Sequence, residues 1–323
     1  MINTMKPTTI LPLVLLLFVF SVGSNSHSQV AQTCAAGSHL AQFGFTVVNE
    51  SGDVPADLTK DDLVVKTNND LTTVTALDRQ VGMPIDLAIL IDVSVSQDEC
   101  LAITKPVARA LIQEVLKSAD NRVALLSFSS RIEIEQPLTN DETKALAALD
   151  AVKIVVPPGY VGGGVVVSRV PPRGPSFIGA TSLWDTSAEG LEKIYDSARD
   201  AKRRRAAILL SDGEDTSSKG KINKSIASAI DRDVVIYAIG VTGGDSTLDR
   251  NALKKVSDQT GGTAAFPKNR EELKTALLEI SKRLGSQYVV SFCRAGDERL
   301  KLRLDLISPT LRNAHIAYPR ERS

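Results

Sequence analysis

Apolar positions along the chain follow two rhythms that alternate from residue 85 onward. Ile85 to Ile91 is apolar except for Asp86. A short Ile- and Leu-rich run of this kind predicts a strand buried on both faces, inside a parallel sheet covered by helices. Val123–Phe128, Ala206–Leu210 and Val234–Ile239 repeat the pattern, and Thr263–Phe266 reads as a last short strand. Between these runs the period is helical. Ile103, Val107, Leu111 and Val115 form a stripe at spacing four, and Asp141–Val152 reads as a helix. Ala188, Leu191, Tyr195 and Ala198 share one face of Ser182–Ala198, and Ile222, Ile226, Ala229 and Ile230 share another. Leu248–Thr260 stops at Gly261-Gly262, and Leu273, Leu277, Ile280 and Leu284 stripe a closing helix. Arg131–Gln136 alternates and suits an edge strand. The expectation is an α/β domain over residues 84–284 with a doubly wound, mostly parallel sheet.

Both flanks have β character instead. Phe43–Val48 alternates in part, Thr59 and Asp62 have capping-box spacing, and Leu63–Lys66 and Leu71–Ala76 flank Asn68-Asn69-Asp70 as a hairpin. Tyr288–Phe292, Leu300–Leu306 and His315–Tyr318 follow the last helix. Neither flank can bury much alone, so residues 29–83 and 285–323 are expected to assemble one small β module. Pro157–Gly179, rich in Gly and Pro and without periodicity, predicts a long exposed loop.

Residues 1–28 stand apart. Lys6, the apolar run Ile10–Val22 and the small Ser26 and Ser28 read as a secretory signal peptide. The run is shorter than the roughly 20 apolar residues of a membrane span. The expectation is a soluble, exported chain, secreted or periplasmic, with no stable transmembrane segment after cleavage; the alternative is an uncleaved anchor. An oxidising compartment permits a disulfide, and three cysteines, Cys34, Cys100 and Cys293, leave at least one free or intermolecular. None has zinc-site spacing with a His.

A formal net charge of +0 over 323 residues gives no general argument for nucleic acid or an acidic membrane surface. The one basic cluster, Lys202–Arg205, leads into an apolar strand without aromatic interleaving and reads as solvated.

Candidate chemistry gathers at strand ends, where open α/β sheets bind ligands. The first strand runs into Asp92, Ser94 and Ser96, alternating with Val93 and Val95. One carboxylate and two hydroxyls are all oxygen donors and suit a hard cation. The competing reading is that they only cap the next helix. Ala206–Leu210 runs into Ser211-Asp212-Gly213-Glu214-Asp215, and Thr181 ends the Gly/Pro-rich loop just ahead of a helix.

The ordered set Asp92-x-Ser94-x-Ser96, Thr181, Asp212 resembles the metal-ion-dependent adhesion site (MIDAS) of von Willebrand factor type A domains, over about residues 84–284. DLTKDDLVV before the domain and QYVVSFC after it look like the flanking β segments of bacterial exported proteins related to that family. Asn68-Asn69-Asp70 departs from their usual acidic-Gly turn, and Pro157–Gly179 is unusually long. The resemblance implies one Mg²⁺ or Mn²⁺, with Ser94 and Ser96 as direct ligands. Thr181 would ligate directly or by water, and Asp92 and Asp212 mainly through waters. It implies a protein partner that presents an Asp or Glu to the metal, and the charge balance above gives no reason to expect nucleic acid. Two carboxylates balance one divalent cation and leave it electrophilic enough to take a third from a partner. Glu214 and Asp215 read as solvated loop charges.

Catalysis fits the residues poorly. A phosphatase-like site would place an acid two residues after Asp92, where Ser94 stands. Ser127 and Ser211 lack the glycines of a nucleophile elbow, no His lies within 84–284, and GYVGGG at 159–164 opens no helix. The expectation is therefore a metal-dependent binding module and not an enzyme. The second reading is a structural or assembly component of a cell-envelope complex that binds no ligand through metal. In a doubly wound domain both flanks attach at the end away from the ligand edge. Cys34–Cys293 is accordingly the expected disulfide, with Cys100 near the ligand edge.

Overall fold

The central strand is central because its side chains alternate between two apolar layers. The computed structural model of the chain describes residues 34–49, 53–156, 181–196, 203–242, 248–296, 300–311, 314–319 and 321–322. The expected signal segment, the Pro157–Gly179 loop, Lys202 and Ala198 lie outside the described residues. In chain order the strands are β1 (Ser38–Val48), β2 (Leu63–Thr67), β3 (Asp70–Thr72), β4 (Val74–Val81) and β5 (Ile85–Asp92). Helix α1 (Leu101–Val115) leads to β6 (Arg122–Phe128) and β7 (Ile132–Thr139). Then come α2 (Glu142–Ala151), α3 (Leu183–Tyr195), β8 (Arg204–Ser211), α4 (Ile222–Asp231) and β9 (Val234–Gly240). Helix α5 (Arg250–Thr260), β10 (Ala264–Ala265) and α6 (Arg270–Gly285) complete the α/β part. The chain closes with β11 (Ser286–Ala295), β12 (Leu300–Leu306), β13 (His315–Ala317) and β14 (Glu321–Arg322).

The large sheet has six strands in the order β10-β9-β8-β5-β6-β7. All neighbours run parallel except β7, which is antiparallel at the edge. On one face Leu87, Ile89 and Ile91 pack with Val107, Leu111 and Ile112 of α1, Leu149 of α2 and Ile280 of α6. On the other, Ala88 and Leu90 pack with Leu191 of α3, Ile226 of α4 and Val256 of α5. This is the expected doubly wound α/β architecture. One stripe needs correction. Ile103 is 52% exposed, and the buried face of α1 is Thr104, Val107, Ala108, Leu111, Ile112 and Val115. A strict spacing of four drifts around a helix of 3.6 residues per turn, so Ile103 falls off the face its successors share.

The flanking segments form two four-stranded antiparallel sheets, β13-β1-β11-β4 and β14-β12-β2-β3. Phe43, Phe45, Val65, Tyr288, Phe292 and Leu304 form their shared core. β2 and β3 turn back through Asn68 and Asn69 at φ 53° and 75°, the left-handed pair of a tight hairpin, which asparagine tolerates. The expected strand Leu71–Ala76 is in fact divided. Its first part pairs with β2, and from Val74 the chain crosses to pair with β11 in the other sheet. Alternation alone cannot show such a transfer, because the period is unchanged across it.

The module sits at the amino ends of the parallel strands. The Arg204 N–H donates to the Pro84 carbonyl, its guanidinium donates to the carbonyls of Leu284 and Arg283, and Thr260 bridges to Pro319. Cys34 and Cys293 form a disulfide with Cα atoms 5.6 Å apart, the expected pair, and Cys100 is buried and free.

Candidate metal centre

β5 and β8 are neighbours, so their carboxyl ends bring Asp92 beside Ser211 and Asp212. Asp92 is buried (2% exposed). One of its oxygens accepts the Ser94 N–H at 3.0 Å and the Ser94 hydroxyl at 2.6 Å, and the other accepts the Ser211 hydroxyl at 2.8 Å. Asp212 (1% exposed) accepts the Ser96 hydroxyl at 2.9 Å and the Gln97 amide at 2.6 Å on one oxygen, and the Glu214 N–H at 3.0 Å on the other. The hydroxyls of Ser94 and Ser96 lie 3.1 Å apart and close the chain of contacts. Four of the five predicted residues thus form one hydrogen-bonded cluster. Ser94 and Asp212 are buried, while Ser96 is exposed and opens the cluster to solvent.

Thr181 stands at the same edge without joining that cluster. It is buried, its N–H donates to the Thr216 hydroxyl at 2.9 Å, and its carbonyl accepts from the N–H groups of Thr216 and Ser217. The adjoining Ser182 N–H donates to the Ser129 carbonyl, just past β6. Thr181 is thereby pinned between the ends of β6 and β8. Among the described residues, no hydrogen bond links its side chain to the other four.

Electrostatics single out the pair. Burial and then the nearby Asp212 push the Asp92 carboxyl from its ordinary 3.8 up to about 7, against the hydrogen bonds from Ser94 and Ser211. Burial also raises Asp212, while the Glu214 N–H, Ser96 and Gln97 act the other way. The half-buried Glu214 is raised by burial, Asp212 and Asp249. Among the described residues, no Lys, Arg or His forms an ion pair with Asp92 or Asp212.

Several contributors were not anticipated. Ser211 and Gln97 hold the two carboxylates, yet in the sequence Ser211 reads only as a failed nucleophile and nothing singles out Gln97. Their role depends on pairing across 115 or more residues, for which only the adjacency Ser211-Asp212 offers a local hint. Cys100 opens α1 beside the cluster. Burial, Asp212, Glu99 and Asp92 hold its thiol at about 11, so it stays protonated. Asp215 is not a freely solvated charge. Its carboxylate accepts the N–H groups of Leu183 and Ser218, anchoring the start of α3 to the loop after β8.

The family model for the von Willebrand factor type A domain matches residues 175–279. The chain carries a von Willebrand factor type A domain. The match takes in Thr181 and Asp212, whereas Asp92, Ser94 and Ser96 precede it. No curated protein sequence matches the chain. Among solved structures it is similar to the conserved hypothetical protein BatB from Bacteroides thetaiotaomicron. That likeness has 17% identity and a TM-score of 0.44, covering 62% of this chain and 98% of that one. A von Willebrand factor type A protein from Catenulispora acidiphila is 14% identical, with a TM-score of 0.47 and coverage of 90% and 75%. Manganese-loaded TRAP protein from Plasmodium vivax is 13% identical, with a TM-score of 0.44 and coverage of 80% and 97%. Likenesses this distant leave the chemistry of the type A domain to be argued from its own residues.

Proposed function

We propose that the type A domain is a metal-dependent protein-binding module. Asp92, Ser94, Ser96, Thr181 and Asp212 would hold one Mg²⁺ or Mn²⁺, and a partner's Asp or Glu would complete the coordination. The observation that carries this reading is the buried pair Asp92 and Asp212, which has hydroxyl, amide and backbone donors but, among the described residues, no basic partner. Buried carboxylates so close together are unfavourable unless a cation compensates them. The donors fit such an ion. Two carboxylates and serine hydroxyls form an all-oxygen set suited to Mg²⁺ or Mn²⁺, with no thiolate or imidazole that would favour zinc.

Each residue has a distinct part. Asp92 and Asp212 supply the negative charge, while Ser211 and Gln97 fix their orientation. Ser94 and Ser96 already turn their hydroxyls toward the carboxylates, and Ser96 is the member that solvent reaches. A bound divalent cation supplies an electrophile at which a carboxylate from outside can coordinate.

The module is proposed to act without catalysis. No His lies in the type A domain, the Ser127 hydroxyl is engaged by Glu135 at 2.5 Å, and that of Ser211 by Asp92. Each serine hydroxyl thus donates to a carboxylate of the fold, and no imidazole from within 84–284 is there to activate it. No helix among the described residues is long and apolar enough to cross a membrane. Export to a secreted or periplasmic location rests on the signal-like residues 1–28 and agrees with the Cys34–Cys293 disulfide.

The test is capture of partners from exported-protein extracts by the disulfide-intact chain. Partners retained in Mg²⁺ and released by chelator, and not captured by Asp92→Ala, support the reading. Capture that is indifferent to chelator supports a structural or assembly role instead.

A further inference from the structure

Of the five proposed ligands, Asp92 and Asp212 sit at or just past the ends of β5 and β8, and Ser94 and Ser96 lie in the short turn that joins β5 to α1. Thr181 has no strand behind it. It stands just ahead of α3, whose N-cap, Ser182, makes no side-chain bond to its own helix. The first N–H groups of a helix have no partner within it, so those of α3 need acceptors from elsewhere. The loop that follows Asp212 supplies them. Asp215 accepts the Leu183 N–H at 3.0 Å, and the Ser218 hydroxyl accepts the N–H groups of Trp184 and Asp185 at 3.1 Å each.

The same loop reaches back to Thr181 itself. The Thr181 N–H donates to the Thr216 hydroxyl at 2.9 Å, and its carbonyl accepts the N–H groups of Thr216 and Ser217 at 2.9 and 3.0 Å. In the other direction, the Asp185 carboxylate accepts the Lys219 N–H at 2.7 Å. Asp215 ties the two segments together, because one oxygen serves both. The Oδ1 atom that takes the Leu183 N–H also accepts the Ser218 N–H of its own loop at 3.3 Å, which turns that loop toward α3. Asp215 follows Asp212 by three residues, and Leu183 follows Thr181 by two. The Asp215–Leu183 bond therefore constrains where Thr181 stands relative to Asp212.

We propose that Asp215 is a positioning residue of the cation site, holding Thr181 in place for the ion through its clamp on the start of α3. The inference rests on the metal-centre reading above and adds to it a residue that does not touch the ion. Asp215 acts as a hydrogen-bond acceptor and not as a charge. Both N–H groups meet the same oxygen, an arrangement that the side-chain carbonyl of an asparagine reproduces. Asparagine also serves helix N-termini about as well as aspartate does. A residue that worked through its charge, or as a ligand in its own right, would not tolerate that exchange. Loss of a group that orients a metal ligand typically lowers metal affinity by about ten- to a hundredfold. Thr181 is one neutral ligand of five, which places the expected loss at the lower end.

The test is calorimetric titration of Mg²⁺ and Mn²⁺ alone into the chelator-treated, disulfide-intact chain. Asp215→Ala should lower cation affinity about tenfold, and Asp215→Asn should stay within about twofold of wild type. Thr181→Val removes the ligating hydroxyl and keeps the side chain's shape. In that background Asp215→Ala should lower affinity no further, while it lowers the melting temperature in both backgrounds. A merely structural role would move melting alone. Thr216→Val deletes the hydroxyl that holds the Thr181 N–H; it should weaken affinity in the same direction and serves where Asp215→Ala does not fold. The proposal is overturned if wild type binds and the folded Asp215→Ala, or Thr216→Val in its place, binds as well. It is equally overturned if Asp215→Asn falls as far as Asp215→Ala, or if the loss persists undiminished in Thr181→Val. Uptake of neither ion by wild type overturns the metal-centre reading itself and this inference with it, a result distinct from the others.

Discussion

Strand β5 carries a buried aspartate at each end, and the two are held in opposite ways. Asp86 lies at the amino end with both oxygens engaged by guanidinium groups, from Arg122 at 2.6 and 2.8 Å and from Arg203 at 2.8 Å. Asp92 lies at the carboxyl end with, among the described residues, only the Ser94 and Ser211 hydroxyls and one N–H. Both side chains sit in the same sheet, and neither is more than 2% exposed. The difference separates a structural carboxylate from a poised one. Asp86 has its counter-charge supplied from within the fold. Asp92 and Asp212 have none among the described residues, and the proposed cation would supply it from solution.

The largest expected effect breaks the structural end. Asp86→Ala leaves Arg122 and Arg203 without their carboxylate and should destabilise the chain by about 3 kcal/mol or more. Denaturant unfolding measures this, and addition of Mg²⁺ should not restore the loss. At the other end the expected change is smaller and depends on the cation. An ion that binds only the folded state stabilises it by roughly 2.7 kcal/mol at about a hundredfold excess over its Kd. Thermal melts with Mg²⁺ or Mn²⁺ should show that shift in wild type and none in Asp92→Ala. Without cation, Asp92→Ala should melt no lower than wild type, because it removes an unpaired buried acid.

The pH dependence sharpens the contrast further. Asp92 titrates near 7 in the folded chain and near 3.8 when unfolded, so between those values the folded state holds a proton that the unfolded state has lost. Raising the pH through this window therefore removes stability from the metal-free protein, and the loss from this group is complete a little above 7. A cation must displace the same proton, so its stabilising effect should grow over the window and level off above it. Melts at a series of pH values, with and without Mg²⁺, check both slopes. Asp92→Ala should lack both. The smallest effect belongs to Ser96→Ala, which removes a neutral oxygen and leaves the charge balance intact. Cation affinity should fall, by a factor nearer ten than a thousand, with metal-free melting unchanged.

Much of this was legible in the chain because it depends on period and position. The buried runs Ile85–Ile91 and Ala206–Leu210 announce strands of a parallel sheet, and the Asp and Ser residues just beyond each run announce an oxygen-rich edge. Local patterns failed where the structure depends on distant partners. Asp86 looked like an interruption, because Arg122 and Arg203 lie 36 and 117 residues away. Lys202–Arg205 looked like a solvated cluster, yet Arg203 answers Asp86 and Arg204 is buried against α6. The division of Leu71–Ala76 between two sheets leaves no mark on alternation. Gln97 and Ser211 could be recognised only once Asp92 and Asp212 stood side by side.

Whether the uncompensated carboxylates at the carboxyl edge form a cation site is tested most directly by calorimetry. Mg²⁺ and Mn²⁺ are titrated into the chelator-treated chain, with acetate present to offer a carboxylate. Saturable uptake of about one ion per chain by wild type, lost in Asp92→Ala, is the predicted result. No uptake of either ion by wild type, or equal uptake by Asp92→Ala, would contradict it.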